Sequence, residues 1–276
     1  MQVYHAIHPA HAKGMDTAAL REHFLLDTLF TEGEINLAYT LYDRMIVGGV
    51  VPTTHALALP NPEKLRASFF LERRELGIIN AGGAGFVVAD GLRYDLNTKD
   101  GLYLGKGTQE ISFGSDSANN PAKFYLNSTP AHMAYPAAII AHSSISPVAL
   151  GTVDTANERS IYKYIHLEGV RSCQLVMGMT ILNRGSIWNT MPTHVHDRRM
   201  EAYFYFDLPD NQRIFHFMGE PTETRHLVMK NLDVALSPAW SIHSGAGTSN
   251  YAFVWGMGGE NQDYSDMDAV PMASIR

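Results

Sequence analysis

At 276 residues the chain is long enough to bury a large core, as two domains or as one double-sized β domain. Its single cysteine, Cys173, excludes an intramolecular disulfide and a cysteine-based zinc site, so any metal must be held by nitrogen and oxygen. A net charge of −7 argues against nucleic acid or an anionic membrane as partner, while a small anion met by local arginines stays allowed.

Residues 1–13 lack the apolar core of a secretion signal, and no run approaches the ~18 apolar residues of a membrane span, so a soluble, cytoplasmic protein is expected. The first local signal is Asp16 followed by Thr17-Ala18-Ala19-Leu20, which predicts an N-capped helix of two to three turns. His5, His8 and His11 precede it without metal-like regularity and are read as surface or interface histidines. From residue 36 onward the chain becomes short β-type runs at 36–42, 45–51, 66–71, 76–80, 85–89 and 102–104. Gly82-Gly83-Ala84-Gly85 is not followed by a helical pattern and is read as a hairpin turn rather than a phosphate loop. Residues 119–147, rich in Pro, Ala, Ser and Asn, read as a crossover between two halves, 1–150 and 151–276. Strands are expected again at 161–166, 174–182, 201–206, 213–218, 226–229, 234–236 and 251–255, which makes the chain all-β.

Within the second half, Thr193-His194-Val195-His196-Asp197-Arg198-Arg199-Met200-Glu201 has the look of a metal site. Side chains alternate along a strand, so His194 and His196 share one face, and a bulge would bring Glu201 to the same side. A histidine pair of this spacing arises by chance about once in one or two chains of this size; the added glutamate and strand context make the pattern far rarer. His243, in Ser237-Pro238-Ala239-Trp240-Ser241-Ile242-His243, would supply a fourth ligand.

An internal repeat supports this reading. Residues 99–110 line up without gaps on 232–243, with Asp100 on Asp233 and Glu110 on His243. Upstream, Glu72-Arg73-Arg74-Glu75 resembles Asp197-Arg198-Arg199-Met200-Glu201. The same β unit is therefore expected twice, with histidines only in the second copy.

These motifs resemble those of the cupin superfamily, and the duplication resembles a bicupin, two double-stranded β-helix (jelly-roll) barrels. Trp188 and Trp240 stand where the two cupin motifs usually carry glycine. The likeness is closer to the 5-keto-4-deoxyuronate isomerase family, through Leu71-Glu72-Arg73-Arg74-Glu75-Leu76-Gly77, Trp188-Asn189-Thr190-Met191-Pro192, His196 to Glu201, Glu223-Thr224-Arg225-His226, Pro238 to Gly245 and Gly259-Glu260-Asn261-Gln262. That resemblance implies one zinc ion per chain, a homohexamer and a place in pectin and uronate breakdown. It also implies ketol-isomerisation of a small anionic keto-sugar acid, between 5-dehydro-4-deoxy-D-glucuronate and 3-deoxy-D-glycero-2,5-hexodiulosonate.

A divalent metal suits such a reaction as a Lewis acid. The sequence does not name the general base; Glu223 is one candidate and a metal-bound hydroxide another. Arg198, Arg199 and Arg225 are candidates for holding the substrate carboxylate, each with a structural salt bridge as the competing role. Trp188, Trp240, Tyr203 and Tyr205 read as barrel lining rather than sugar platforms. An iron-dependent cupin oxygenase at the same four ligands and a non-catalytic sugar-binding bicupin stay open on motif alone.

Overall fold

The computed structural model describes residues 1–260 and 262–276; Asn261, part of the 259–262 stretch above, lies outside the described residues. Contacts divide the chain into two compact units. One comprises Met1–Val3, Thr28–Ser146 and Tyr164–Val176; the other comprises Tyr4–Asp27, Pro147–Lys163 and Met177–Arg276. Around the expected boundary at 150 the units thus exchange segments: the N-terminal helix joins the second unit, and residues 164–176 join the first. Among the described residues no helix is long and apolar enough to cross a membrane.

Each unit pairs a seven-stranded sheet with a four-stranded one, and the strand orders match. In the first unit the central run is Ile46–Val50, Phe124–Pro130, Arg74–Asn80, Gly101–Leu104; in the second it is Val176–Leu182, Ala252–Gly259, Arg199–Phe206, Val234–Ser237. The smaller sheets also correspond: Leu57–Ala58, Ile111–Ser115, Gly85–Ala89, Leu92–Leu96 against Trp188–Asn189, Ser244–Gly247, Ile214–Glu220, Glu223–Met229. Two facing antiparallel sheets built twice are the all-β bicupin architecture.

The repeat holds down to single turns. Lys99 and Leu232, one residue before the aligned aspartates, are both left-handed, with φ of 74° and 71°. Such a backbone is costly for a side-chain-bearing residue unless something holds it. The Asp100 carboxylate accepts the Asn97 amide at 2.9 Å, and the Asp233 carboxylate accepts the Lys230 amide at 2.8 Å, so the same side-chain clasp closes both turns.

The first barrel is filled by apolar side chains, among them Leu76, Ile78, Val87, Leu104, Phe113 and Leu126. Leu76 pairs with Leu104 just as Glu201 pairs with Ser237, so leucine occupies the register position of the second unit's glutamate. Glu75, one residue earlier, faces the other side of its sheet. Its carboxylate accepts hydrogen bonds from Tyr103 Oη, Thr129 Oγ1 and the amides of Cys173, Gln174 and Leu175 at 2.6–2.9 Å, which ties residues 173–175 into the first unit. Cys173 is buried there as a small apolar residue.

The helix Thr17–Phe24 forms as expected, with Asp16 Oδ1 accepting the Ala19 amide; a four-residue helix, Pro9–Ala12, precedes it. Three expectations fail. Residues 66–71 form no strand, because Arg66 turns left-handed after the 3-10 turn Glu63–Leu65, and Phe70 and Leu71 reach the core from a loop. The glycine cluster at 82–85 is a corner rather than a hairpin turn, carrying the chain from the seven-stranded to the four-stranded sheet. A Cβ on Gly82 or Gly83 would collide with the backbone of Pro121 or Asn120. The expected crossover contains Phe124–Pro130, a central strand.

Candidate metal centre

Three chain segments build the site in the second unit. Strand Arg199–Phe206 directs Glu201, Tyr203 and Tyr205 to one face by its twofold alternation. His194 opens a short strand, His194–Val195, paired with Asp268–Ala269, and His196 follows it directly. The odd spacing from His196 to Glu201 is absorbed by a turn at Asp197–Arg198, closed by Arg199 N to His196 O at 3.2 Å, and not by the expected bulge. His243 stands immediately before strand Ser244–Gly247 on the facing sheet.

The four side chains converge. His194 Nε2 lies 3.1 Å from His196 Nε2 and 3.0 Å from His243 Nε2. Glu201 Oε2 lies 3.2 Å from His196 Nε2 and 3.0 Å from His243 Nε2. All four ligand atoms fall within 4.8 Å of one another, so the group could hold a metal ion.

Electrostatics agree with that use. Burial, then the neighbouring His196, holds the His194 pKa down to about 3; burial, then the other histidines, holds His243 well below the ordinary imidazole range. Such imidazoles are neutral, as metal ligands must be. His196 Nδ1 lies 2.7 Å from the Asp266 carbonyl, which can only accept, so Nδ1 carries a proton and Nε2 is the ring atom turned toward the cluster. Converging lone pairs at ~3 Å repel unless a cation or proton sits among them, and a donor set of three nitrogens and one carboxylate oxygen suits zinc, iron or manganese.

Beside the cluster is a cavity of about 230 Å³. Ile161, Phe253, Trp255 and Met257 form its apolar wall, while Arg159, Thr180, Thr190, Tyr203 and Tyr264 supply polar groups. Leu150 and Met267, both more than 40% exposed, line it as well. Burial pushes the Tyr264 hydroxyl up to about 12 and Tyr203 well above its usual range, so both are neutral hydroxyls. Behind the site His216, 1% exposed and held down by burial to about 3, pairs with Tyr205 Oη at 2.8 Å.

The other sequence candidates lie elsewhere. Arg198 is ion-paired to Asp266 and Asp268 at 2.7 and 2.6 Å, and Arg199 is buried against the carbonyls of Asp263, Tyr264 and Asp266. Arg225 pairs with Glu223, whose carboxylate is almost half exposed, and neither lines the cavity. Glu110 is exposed. Trp188 stacks on Phe217, and Trp240 packs edge-on against Phe24 and donates to Ile7 O. Arg159, Thr180 and Tyr264 were not singled out by sequence, since none belongs to a motif and only folding carries them to the cavity.

The matching of a sequence profile of the KduI/IolB family to residues 25–272 decides the kinship. This chain belongs to the KduI/IolB family. It is 54% identical over 276 residues, all of both chains, to a Caldicellulosiruptor bescii protein named 4-deoxy-L-threo-5-hexosulose-uronate ketol-isomerase. Its fold is similar to that of an IolB-like protein from Salmonella typhimurium, with a TM-score of 0.73 and 15% identity over 90% of this chain and 96% of the other. Bacillus subtilis oxalate decarboxylase, a protein with Mn(II) centres, matches with a TM-score of 0.55 and 10% identity over 81% of this chain and 71% of that one. The KduI/IolB family thus carries here a bicupin whose second barrel has a ligand-ready pocket.

Proposed function

We propose that the protein is a metal-assisted ketol-isomerase of 4-deoxy-L-threo-5-hexosulose uronate, interconverting its aldehyde form with the 2,5-diketo acid. The observation that carries this is the convergence of His194, His196, His243 and Glu201 beside a cavity, in a chain matching a named ketol-isomerase end to end. The four side chains would hold one divalent ion, zinc by resemblance, which when bound supplies a Lewis acid for the carbonyl and hydroxyl oxygens.

The protein's own groups do the rest. The Asp266 carbonyl fixes the His196 tautomer, and Ser237 Oγ lies 3.2 Å from His243 Nδ1, so both rings are oriented before substrate arrives. Tyr203 and Tyr264, neutral at physiological pH, offer hydroxyl hydrogen bonds rather than a base. Glu201 is the one carboxylate in the cavity lining among the described residues, and Glu223 stands outside it. Ile161, Phe253, Trp255 and Met257 exclude water from the reacting carbons. The resemblance adds a cytoplasmic homohexamer serving pectin and uronate breakdown.

Elemental analysis of the purified protein, coupled to an assay on the 5-keto sugar acid, tests this reading. About one equivalent of divalent metal and interconversion of the two sugars is expected, with activity lost to a chelator and restored by zinc. Turnover that survives complete metal removal, or oxygen uptake in place of isomerisation, overturns it.

A further inference from the structure

Arg159 is the one cationic side chain lining the cavity among the described residues. It opens the strand Arg159–Ile165, three places from Glu201's strand in the sheet order. At ~4.8 Å per step the two backbones are offset by ~14 Å along the sheet, a span that their side chains and a six-carbon acid fill between them. A guanidinium has five N–H donors. The one hydrogen bond it makes is from Nη1 to Asn157 O at 2.9 Å, and no described carboxylate pairs with it. Its charged neighbours in waiting, Tyr203, Tyr251 and Tyr264, are all neutral hydroxyls, and burial depresses the Arg159 pKa from its ordinary value. A partly buried cation without a counterion is costly, and the cost is recovered when an anion enters. The three arginines suggested by sequence are already occupied, Arg198 and Arg225 by carboxylates and Arg199 by carbonyls.

We propose that Arg159 holds the substrate carboxylate, so that the sugar acid lies with its charged end against Arg159 and its aldehyde end against the histidine–glutamate cluster. This rests on the ketol-isomerase reading above and names the group that orients the substrate and selects for an acid. A guanidinium fork meets a carboxylate through two parallel N–H···O bonds, which fixes direction as well as affinity. Thr180 and Tyr264 lie on the same cavity lining and can donate to the remaining carboxylate lone pairs.

The test uses the metal-loaded enzyme with the keto-sugar acid and its methyl ester as substrates. Arg159→Met is expected to raise KM for the acid about 100-fold, the usual effect of removing one partner of a buried charge pair. KM for the ester should change little, and the metal content should stay at the wild-type value. Arg159→Lys keeps the charge without the fork and guards against a folding defect; a KM for the acid about 10-fold above wild type is expected, since one of the two parallel charge-assisted bonds is lost. An unchanged KM for the acid in both variants overturns the assignment, as does an equal loss on acid and ester. If the wild type converts neither sugar, the isomerase reading itself falls, and the assignment falls with it.

Discussion

His196 donates its Nδ1 proton to the Asp266 carbonyl at 2.7 Å, across 70 residues of chain. The same carbonyl accepts from Arg199 Nη2 at 3.0 Å, and the Asp266 carboxylate is gripped by Arg198. A candidate ligand is therefore aimed by a C-terminal segment that Arg198 and Arg199 tie down.

Arg198→Ala should weaken metal binding without touching a ligand. With both carboxylate contacts gone, residues 266–268 are still held by Arg199 and the pairing of Val195 with Asp268, but His196 is less firmly oriented. Outer partners of this kind contribute about 10- to 100-fold in metal affinity. Competition with a chromophoric chelator measures the change, and affinity equal to wild type would sever the link between this segment and the ligand.

The two barrels make an internal comparison. His196→Ala or Glu201→Gln should abolish both metal binding and isomerisation, because the first removes a converging donor and the second the only negative charge of a buried cluster. Glu110→Ala, at the exposed aligned position of the first unit, should leave both unchanged. Elemental analysis and turnover assays on the three variants check this together.

Asp233 should set a pH dependence of stability. Burial is the main reason its carboxyl is raised to about 6; the Lys230 amide and the Lys230 and Arg21 charges work the other way, and Asp27 adds to the rise. Its Oδ1 is buried without a hydrogen-bond partner, whereas Asp100 Oδ1 accepts the His142 amide at 2.8 Å. A carboxyl raised on folding binds its proton more tightly in the native state, so stability falls as pH rises from about 4 to about 6, by at most ~3 kcal/mol. Thermal melts across that range should slope downward in the wild type and flatten in Asp233→Asn.

Gly178 sets the wall of the cavity. A Cβ there would run into the Trp255 indole ring, whose Nε1 donates to Thr180 Oγ1 at 3.1 Å. Gly178→Ala should displace the indole, cost ~1–3 kcal/mol of stability by overpacking and raise KM while leaving metal content intact. Melting midpoints and steady-state kinetics read the two effects separately.

Local chemistry made much of this legible in advance. Asp16 announced its helix because a capping side chain acts within three residues, and residues 85–89 matched their strand end to end. Strand Phe124–Pro130 escaped because Asn127, Ser128 and Thr129 are polar yet fully buried, with Asn127 Nδ2 donating to Tyr125 Oη, Ser128 Oγ accepting from Arg74 and Thr129 Oγ1 donating to Glu75. A period-two search for apolar residues sees nothing there. Residues 66–71 misled in the opposite sense, since Phe70 and Leu71 are buried from a loop that needs no strand pairing.

By itself the sequence determined the duplicated β architecture and singled out His194, His196, Glu201 and His243 as a candidate cluster, because alternation, turn residues and donor chemistry are properties of short segments. Only the tertiary structure decided that Leu76 takes the place of Glu201 in the first barrel, that Arg198 and Arg199 serve the C-terminal segment, and that Arg159 reaches the cavity. Which arginine is left without a counterion depends on partners up to 70 residues away, and proximity of that kind arises only when sheets pair and close.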